Sequence, residues 1–269
     1  MTKQSIKQDR HANARDDNTP QQYQEGYVEF YKLRFKVTPD VLIPRPETEL
    51  LVDYVLDFIK QQRTPNNELI TILDIGTGSG NIAISIAKNL KDVRIIATDV
   101  SQKALKVARQ NAKLHRVSDK IEFIQSNLLD VIASRAKQSN TDNDQRQIAS
   151  SPLAPRNDNN IDIIVTNLPY IPSARIPHLD SSVKDFEPNV ALDGGEDGFE
   201  LYRKLFQQIS DLATQPRRLP PRLIIGEIDY THGESAALEA QKYFPDAEIE
   251  VKTDLAHKQR ILLIRSKLS

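Results

Sequence analysis

The stretch Leu69-Ile-Thr-Ile-Leu-Asp-Ile-Gly-Thr-Gly-Ser-Gly80 decides how this chain folds. Its first seven residues are mostly apolar and predict a buried strand that ends at Ile75. A glycine loop comes next, and a helix is predicted to begin directly after it at Asn81. Glycines allow the backbone to approach a ligand closely, and a helix N-terminus favours negative charge. The stretch therefore predicts a ligand-binding unit of strand, loop and helix.

The alternation of strand and helix continues after the glycine loop. A strand is predicted at 93–98, a helix capped by Ser101 runs to about Leu114, and another strand follows at 121–124. The remaining predictions are strands at 161–166, 223–227, 247–252 and 260–264, and helices at 198–212 and 235–244. This order is typical of an α/β fold with a parallel, doubly wound sheet. We expect the last two strands to form a hairpin-like antiparallel edge.

Two polar segments stand outside this alternation. Residues 1–26 are dominated by Lys, Gln, Asp, Asn and Arg, and we expect a disordered tail before a single domain at 27–269. Residues from about 134 to 160 contain no aromatic residue and few apolar ones, which indicates a low-complexity insertion. A tolerated surface insertion is the simpler interpretation, because entropy penalises loop length only slowly. A lid or a partner-binding loop is the alternative.

The segment between the tail and the glycine loop predicts a short strand pair within 27–37. A helix follows, opened by Pro46 or Thr48 and ending near Gln62, because apolar residues recur there at helical spacing.

The composition excludes several classes of protein. The chain has 269 residues and no cysteine, which excludes disulfides and thiol catalysis. Its formal net charge of −1 excludes a global basic field. No apolar run approaches the ~20 residues of a membrane span, and no signal peptide is visible. The histidines are scattered without ligand spacing, so we expect no metal site. These features predict a cytoplasmic globular protein.

An acidic residue ends the strand that follows the glycine loop. Asp99 stands roughly 20 residues after the loop, where a carboxylate binds ribose hydroxyl groups. A dinucleotide fingerprint would need a glycine at position 81, and Asn81 is there instead. A ribose without the pyrophosphate pattern fits S-adenosylmethionine, with its aminocarboxypropyl group along the loop. The alternative is a glycine turn that only shapes the joint between strand and helix.

A second motif, Asn167-Leu168-Pro169-Tyr170, follows the predicted strand at 161–166. Pro169 ends the strand and stiffens the loop. The Asn167 amide and the Tyr170 ring suit a planar, neutral nitrogen such as that of an amide or of a base amino group. An amide nitrogen is a poor nucleophile, so an enzyme must hold it in line with a strong electrophile. A simple turn is the alternative for these four residues.

Together, the motifs resemble a known family. Its pattern is matched by Leu42-Ile-Pro-Arg-Pro-Glu-Thr-Glu49, Asp74-Ile-Gly-Thr-Gly-Ser-Gly80, Asp99, Asn167-Leu-Pro-Tyr-Ile171 and Phe186-Glu-Pro188. This set, in this order, resembles the class I, S-adenosylmethionine-dependent methyltransferases that modify the glutamine of peptide chain release factors. The resemblance extends from about residue 27 to the end, apart from the insertion. The Pro-Arg-Pro-Glu-Thr-Glu stretch is its specific part, because the glycine loop fits any class I methyltransferase.

The resemblance implies a Rossmann-like α/β fold with a mostly parallel seven-stranded sheet whose last strand is antiparallel. It implies methyl transfer to the side-chain nitrogen, N5, of the glutamine in the release factor Gly-Gly-Gln motif. The implied cofactor-binding residues are Gly76, Thr77, Gly78, Ser79, Gly80, Asp99, Asn127, Leu128 and Asn167. The implied substrate-binding residues are Asn167, Leu168, Pro169 and Tyr170, and those with catalytic roles are Asn167, Pro169 and Tyr170.

Within this scheme the Asn167 side chain and the Leu168 carbonyl accept the two hydrogens of the glutamine NH2 group, and Tyr170 packs against the amide plane. We expect a monomer whose partner is a release factor, with no direct binding to nucleic acid or membrane. The alternatives are a methyltransferase for another protein glutamine or for an adenine amino group, and a catalytically silent module that binds S-adenosylmethionine.

Three features depart from the family pattern. Leu168 stands where the family usually has proline, and related adenine methyltransferases share this variant. Asn127 stands where the family usually has an acid facing the adenine amino group, and its side-chain oxygen accepts the same hydrogen bond without charge. We expect a short polar tail in place of the family's helical N-terminal domain, which helps to bind the release factor.

Overall fold

A seven-stranded sheet forms the centre of the computed structural model, which describes residues 18–62, 69–130, 160–214 and 219–267. The strands are β1 (Tyr27–Phe30), β2 (Leu33–Lys36), β3 (Ile70–Ile75), β4 (Val93–Asp99), β5 (Ile121–Gln125), β6 (Ile163–Thr166), β7 (Leu223–Glu227), β8 (Glu248–Thr253) and β9 (Gln259–Arg265). The helices are α1 (Gln21–Glu25), α2 (Glu49–Gln62), α3 (Asn81–Asn89), α4 (Gln102–Leu114), α5 (Ser181–Lys184), α6 (Glu200–Ala213) and α7 (Gly233–Tyr243). None of the helices in these ranges has the length and apolar character that a bilayer crossing requires.

The strand order in the large sheet is β5-β4-β3-β6-β7-β9-β8. Strands β5, β4, β3, β6 and β7 run parallel, and β9 is antiparallel to both of its neighbours. This confirms the α/β fold class and the antiparallel last strand. The predicted antiparallel hairpin of the last two strands is also confirmed. β8 forms the edge of the sheet, and β9 lies between β7 and β8. The strand pair β1–β2 forms a separate antiparallel ribbon.

Strand β3 lies inside the sheet, between β4 and β6, and is buried on both faces. Ile72 packs into one apolar cluster with residues of α2 and α3. Leu73 and Ile75 pack into a second cluster with residues of α6 and α7. The nearly continuous apolar run of the sequence is therefore explained by helices on both sides of a parallel strand.

The joint between the glycine loop and α3 requires a glycine at its last position. Gly80 has φ +82°, and a Cβ atom there would lie 2.9 Å from the Ile84 side chain and 3.2 Å from Ala108. Gly80 therefore allows α3 and α4 to pack closely.

The predicted disordered tail extends too far. Within it, α1 forms a short helix, and the Tyr23 hydroxyl donates a hydrogen bond of 2.6 Å to the Val41 carbonyl. The Tyr23 ring also packs against the small apolar cluster of Val37 and Val41, which gives this part of the tail a place on the domain. Residues 1–17 and most of the predicted insertion, at 131–159, lie outside the described residues.

The connection between β6 and α6 is not a plain loop. It contains α5 and two short 3-10 helices, Ser173–His178 and Asn189–Ala191. Its glycines allow it to pack closely on the Asn167–Tyr170 motif. A Cβ atom at Gly194 would lie 2.7 Å from the Pro169 carbonyl oxygen and 2.8 Å from the Tyr170 Cα atom.

Candidate active site

A cavity of about 250 Å³ opens where β3, β4, β5 and β6 end. In a parallel sheet these carboxyl ends share one edge, which is where such folds bind ligands. All predicted site residues except Gly80 and Tyr170 line this cavity. Those that do are Gly76, Thr77, Gly78, Ser79, Asp99, Asn127, Leu128, Asn167, Leu168 and Pro169. Both predicted motifs therefore face one space.

The glycine loop is held open by backbone hydrogen bonds. The Thr77 N–H group donates to the Thr98 carbonyl at 2.9 Å, which ties the loop to the end of β4. Gly78 has φ +54°, and no heavy atom lies within 4 Å of the place that a Cβ atom would occupy. The loop thus exposes backbone to the cavity at a position where a side chain would intrude.

Asp99 is fixed at the end of β4 by the loops on either side of it. Its Oδ2 atom accepts a hydrogen bond of 2.9 Å from the Gly78 N–H, and its Oδ1 atom accepts one of 2.8 Å from the Ser101 N–H. Burial raises the pKa of Asp99, and these backbone donors oppose that rise. A carboxylate oxygen can accept more than one hydrogen bond, so the Asp99 carboxylate retains capacity for hydroxyl donors.

Asp74 is a buried acid beneath the loop that was not among the predicted site residues. It is 0% exposed, and its Oδ2 atom accepts a hydrogen bond of 2.6 Å from the Thr77 hydroxyl. Its Oδ1 atom has no hydrogen-bond partner among the described residues. Burial raises the pKa of Asp74 to about 7, against the lowering effect of the Thr77 hydroxyl. An acid within an otherwise apolar strand was the sequence signal for it.

The loop after β5 supplies the wall opposite the glycine loop. Asn127 is exposed and lines the cavity, whereas the neighbouring Leu128 side chain is buried at φ +47°. Leu128 belongs to the same apolar cluster as Leu73 and Ile75. Packing of Leu128 therefore directs the turn that presents Asn127.

The side-chain amide of Asn167 has a defined orientation. Its Nδ2 atom donates to Thr48 Oγ1 at 3.2 Å and to Glu227 Oε2 at 3.1 Å. Its Oδ1 atom accepts no hydrogen bond from the described residues, and the residue lines the cavity. The amide therefore turns its donors towards the protein interior and keeps an acceptor for a ligand.

Glu227 is the second functional candidate that the sequence reasoning missed. It is the last residue of β7 and is 1% exposed. The Thr48 hydroxyl donates to its Oε2 atom at 2.6 Å. Thr48 was predicted as a possible helix opener, but its hydroxyl binds this carboxylate instead of capping α2. An acid at the carboxyl end of a parallel strand was the available signal.

Tyr170 lies behind the cavity wall. Its hydroxyl donates a hydrogen bond of 3.0 Å to Glu227 Oε1, which fixes the ring. Burial raises the pKa of Tyr170, as does the nearby Glu227 carboxylate, so the hydroxyl stays protonated and acts as a donor.

An ion pair bridges two family motifs above the cavity. Arg45 Nη2 lies 2.5 Å from Glu187 Oε1, and the Glu187 side chain is 1% exposed. The pair joins the segment around Arg45 to the segment Pro188–Ala191, and residues of both segments line the cavity. Burial raises the pKa of Glu187 and the guanidinium opposes this rise. The ion pair thus holds together two motifs that line the same cavity as the glycine loop.

No group of three or more metal-ligating side chains occurs in the described part of the chain. The residues that line the cavity offer backbone donors, two carboxylates and amide groups, which suits an organic ligand.

A family model described as a methyltransferase domain matches residues 66–187. Among solved structures, the human methyltransferase 10 domain containing protein superposes with a TM-score of 0.56 at 16% identity, over 89% of this chain and 90% of that one. The catalytic domain of human Mettl16, solved in complex with the MAT2A 3′UTR hairpin 6, superposes with a TM-score of 0.60 at 15% identity, over 89% and 77%. At these identities the likeness shows the fold alone. Fold, cavity and family model define a class I methyltransferase.

Curated relatives identify the family. The release factor glutamine methyltransferase of Lactococcus lactis is 34% identical over 248 residues, which is 92% of this chain and 78% of the relative. That of Moorella thermoacetica is 36% identical over 244 residues, 91% of this chain and 74% of the relative. The chain belongs to the release factor glutamine methyltransferase family.

Proposed function

We propose that this protein transfers a methyl group from S-adenosylmethionine to the N5 nitrogen of the glutamine in the Gly-Gly-Gln motif of a peptide chain release factor. The observation that carries the proposal is the orientation of Asn167. Its donors are bound by Thr48 and Glu227, so it presents an acceptor beside the glycine loop. A primary amide substrate offers donors, which is the complement that this acceptor requires. Such a substrate belongs to translation and gives the enzyme a cytoplasmic location.

The residues of the cavity fit the proposed cofactor. The space beside Gly78 would accommodate its aminocarboxypropyl group. Asp99, held by two backbone donors, would bind the ribose hydroxyls, and Asn127 would accept from the adenine amino group. When bound, S-adenosylmethionine supplies a methyl group on a positively charged sulfur, which takes the electron pair of the broken bond.

The chain's own contribution is to position a weak nucleophile. Asn167 Oδ1 and the Leu168 carbonyl would accept the two hydrogens of the glutamine NH2 group and so direct the nitrogen lone pair at the methyl carbon. The nitrogen forms the new bond with this lone pair and then loses one proton to water. Positive charge develops on the nitrogen, and the two acceptor oxygens stabilise it.

A methyl-transfer assay with tritiated cofactor and purified release factor tests the proposal. We expect label in the release factor and none when its Gly-Gly-Gln glutamine is replaced by alanine. Label at another position, or in RNA or DNA in place of protein, would show that the substrate is wrong and would favour the adenine alternative. Cofactor binding without any transfer would favour a silent binding module.

A further inference from the structure

The Glu227 carboxylate is buried among hydrogen-bond donors. It accepts hydrogen bonds from Thr48, Asn167 and Tyr170. In the described ranges, no lysine, arginine or histidine nitrogen forms an ion pair with it. Burial raises the pKa of Glu227, and the hydrogen bonds from Thr48 and Tyr170 and the charge of Arg260 oppose that rise. A buried charge without an ion-pair partner is expensive, and these groups reduce the cost only in part. Packing alone would be served as well by a neutral residue, so a role for the charge is indicated.

The carboxylate determines which atom Asn167 shows to the substrate. An ionised carboxylate only accepts hydrogen bonds, so the amide must direct Nδ2 towards Glu227 and Oδ1 away from it. Without this partner the amide is free to rotate by half a turn. It would then present a donor to the donors of the glutamine NH2 group, and that arrangement is repulsive.

The charge also acts through Asn167 on the reacting atom. A hydrogen bond from Nδ2 to an anion polarises the amide and makes its oxygen a stronger acceptor. This effect grows as the glutamine nitrogen becomes positive, so it favours the transition state over the ground state.

We propose that Glu227, as an ionised carboxylate, is a positioning residue that fixes and polarises the Asn167 amide for methyl transfer. This inference rests on the proposed function, because it assigns the acceptor to a substrate amide. Glu227 does not touch the substrate, and its effect is transmitted by Asn167.

The test is a double-mutant cycle between Glu227→Gln and Asn167→Ala in the methyl-transfer assay. We expect Glu227→Gln to lower kcat roughly tenfold or more and to change the affinity for S-adenosylmethionine, measured by calorimetry, by less than about twofold. In the Asn167→Ala background the same substitution should have almost no further effect, because its route to the substrate is gone. A merely structural role would lower activity by the same factor in both backgrounds.

Asp162→Asn provides the control for the loss of a carboxylate charge at the opposite edge of the sheet. Asp162 is half-buried and accepts a hydrogen bond of 2.8 Å from the Thr71 N–H group near the start of β3. We expect its kcat to equal that of the original protein. Thermal unfolding of each variant establishes that it is folded. Glu227→Gln is used because it keeps the size and shape of the side chain, so the experiment does not depend on whether Glu227→Ala folds.

A pH profile of kcat at saturating cofactor gives a second readout. Protonation of Glu227 would turn an acceptor into a donor, so kcat should fall on the acid side, and this fall should be absent in Glu227→Gln. The titratable and charged groups around Glu227 are Glu47, Tyr170, Tyr202 and Arg260. Full activity of Glu227→Gln in an enzyme that labels the release factor would overturn the inference alone. Failure of the unmodified enzyme to label it would overturn the proposed function.

Discussion

Around the glycine loop, the contacts that shape the cavity join residues that are close in the chain, whereas around Asn167 they join residues that are far apart. Thr77 forms a hydrogen bond with Asp74, 3 positions away in the chain, and Gly78 with Asp99, 21 positions away. Asn167 forms hydrogen bonds with Thr48, 119 positions away, and with Glu227, 60 positions away. The proposed cofactor half of the cavity consists of the β3–loop–α3 unit and the end of the neighbouring strand β4. The proposed substrate half, around Asn167, forms only after the sheet has assembled.

The largest expected effect concerns the substrate half. Asn167→Ala removes the acceptor that directs the glutamine nitrogen, and we expect kcat to fall roughly a hundredfold or more, about 2.7 kcal/mol of barrier. Asn167→Asp should cost a similar amount, because a charge beside the sulfonium stabilises the ground state. Cofactor affinity of the alanine variant should change little. Steady-state methyl transfer and calorimetry measure the two quantities. Full activity would mean that Asn167 is only a turn residue.

The cofactor half should respond in the opposite way. Asp99→Ala removes the proposed hydrogen bonds to the ribose, which cost roughly 1.5–3 kcal/mol when a charged acceptor is lost. We expect affinity for S-adenosylmethionine to fall about ten- to a hundredfold. Titration calorimetry tests this, with Asn167→Ala as the comparison. Equal affinity in the Asp99 variant and the original protein would place the ribose elsewhere.

Thr48 sharpens the comparison, because it lies at the junction between α2 and the substrate half. Thr48→Val removes the hydroxyl that donates to Glu227, and we expect a loss of roughly three- to tenfold in kcat, about 1 kcal/mol. Thr48→Ser keeps the hydroxyl and is the matched control, with activity near that of the original protein. A loss in Thr48→Ser but not in Thr48→Val would show that the methyl group, rather than the hydroxyl, matters at this position.

The smallest effect on activity is expected from Asp74, whose influence is mainly on stability. Its pKa is about 7 in the folded protein, above the 3.8 that applies without the fold. Between these two pKa values, the folded state therefore binds a proton at Asp74 that the unfolded state has released. This group's contribution to the free energy of unfolding is present at low pH and is lost as pH rises from about 4 to about 7. Asp74→Asn should remove that loss, and melting temperatures measured from pH 5 to pH 8 should depend less on pH than in the original protein. A steeper dependence would contradict the sign.

The same contrast explains how much could be predicted from the sequence. The β3–loop–α3 unit, Asp99 and the strand before Asn167 follow from local patterns of apolar residues, glycines and proline. Thr48 and Glu227 could not be paired, because no local pattern specifies a contact over 179 positions. Asp74 was visible within the glycine motif, but its burial depends on the helices that cover both faces of β3. The short helix α1 was missed because its stability comes from Tyr23 packing on a distant segment.

The side chain of Leu168 connects the two halves. It is 4% exposed, and its Cδ2 atom lies 3.6 Å from the position of a Cβ atom on Gly76. The side chain of this leucine therefore separates the glycine loop from the loop that follows β6. Under the proposed function, a bulkier or smaller residue at this position would change the distance between the methyl donor and the Asn167 acceptor.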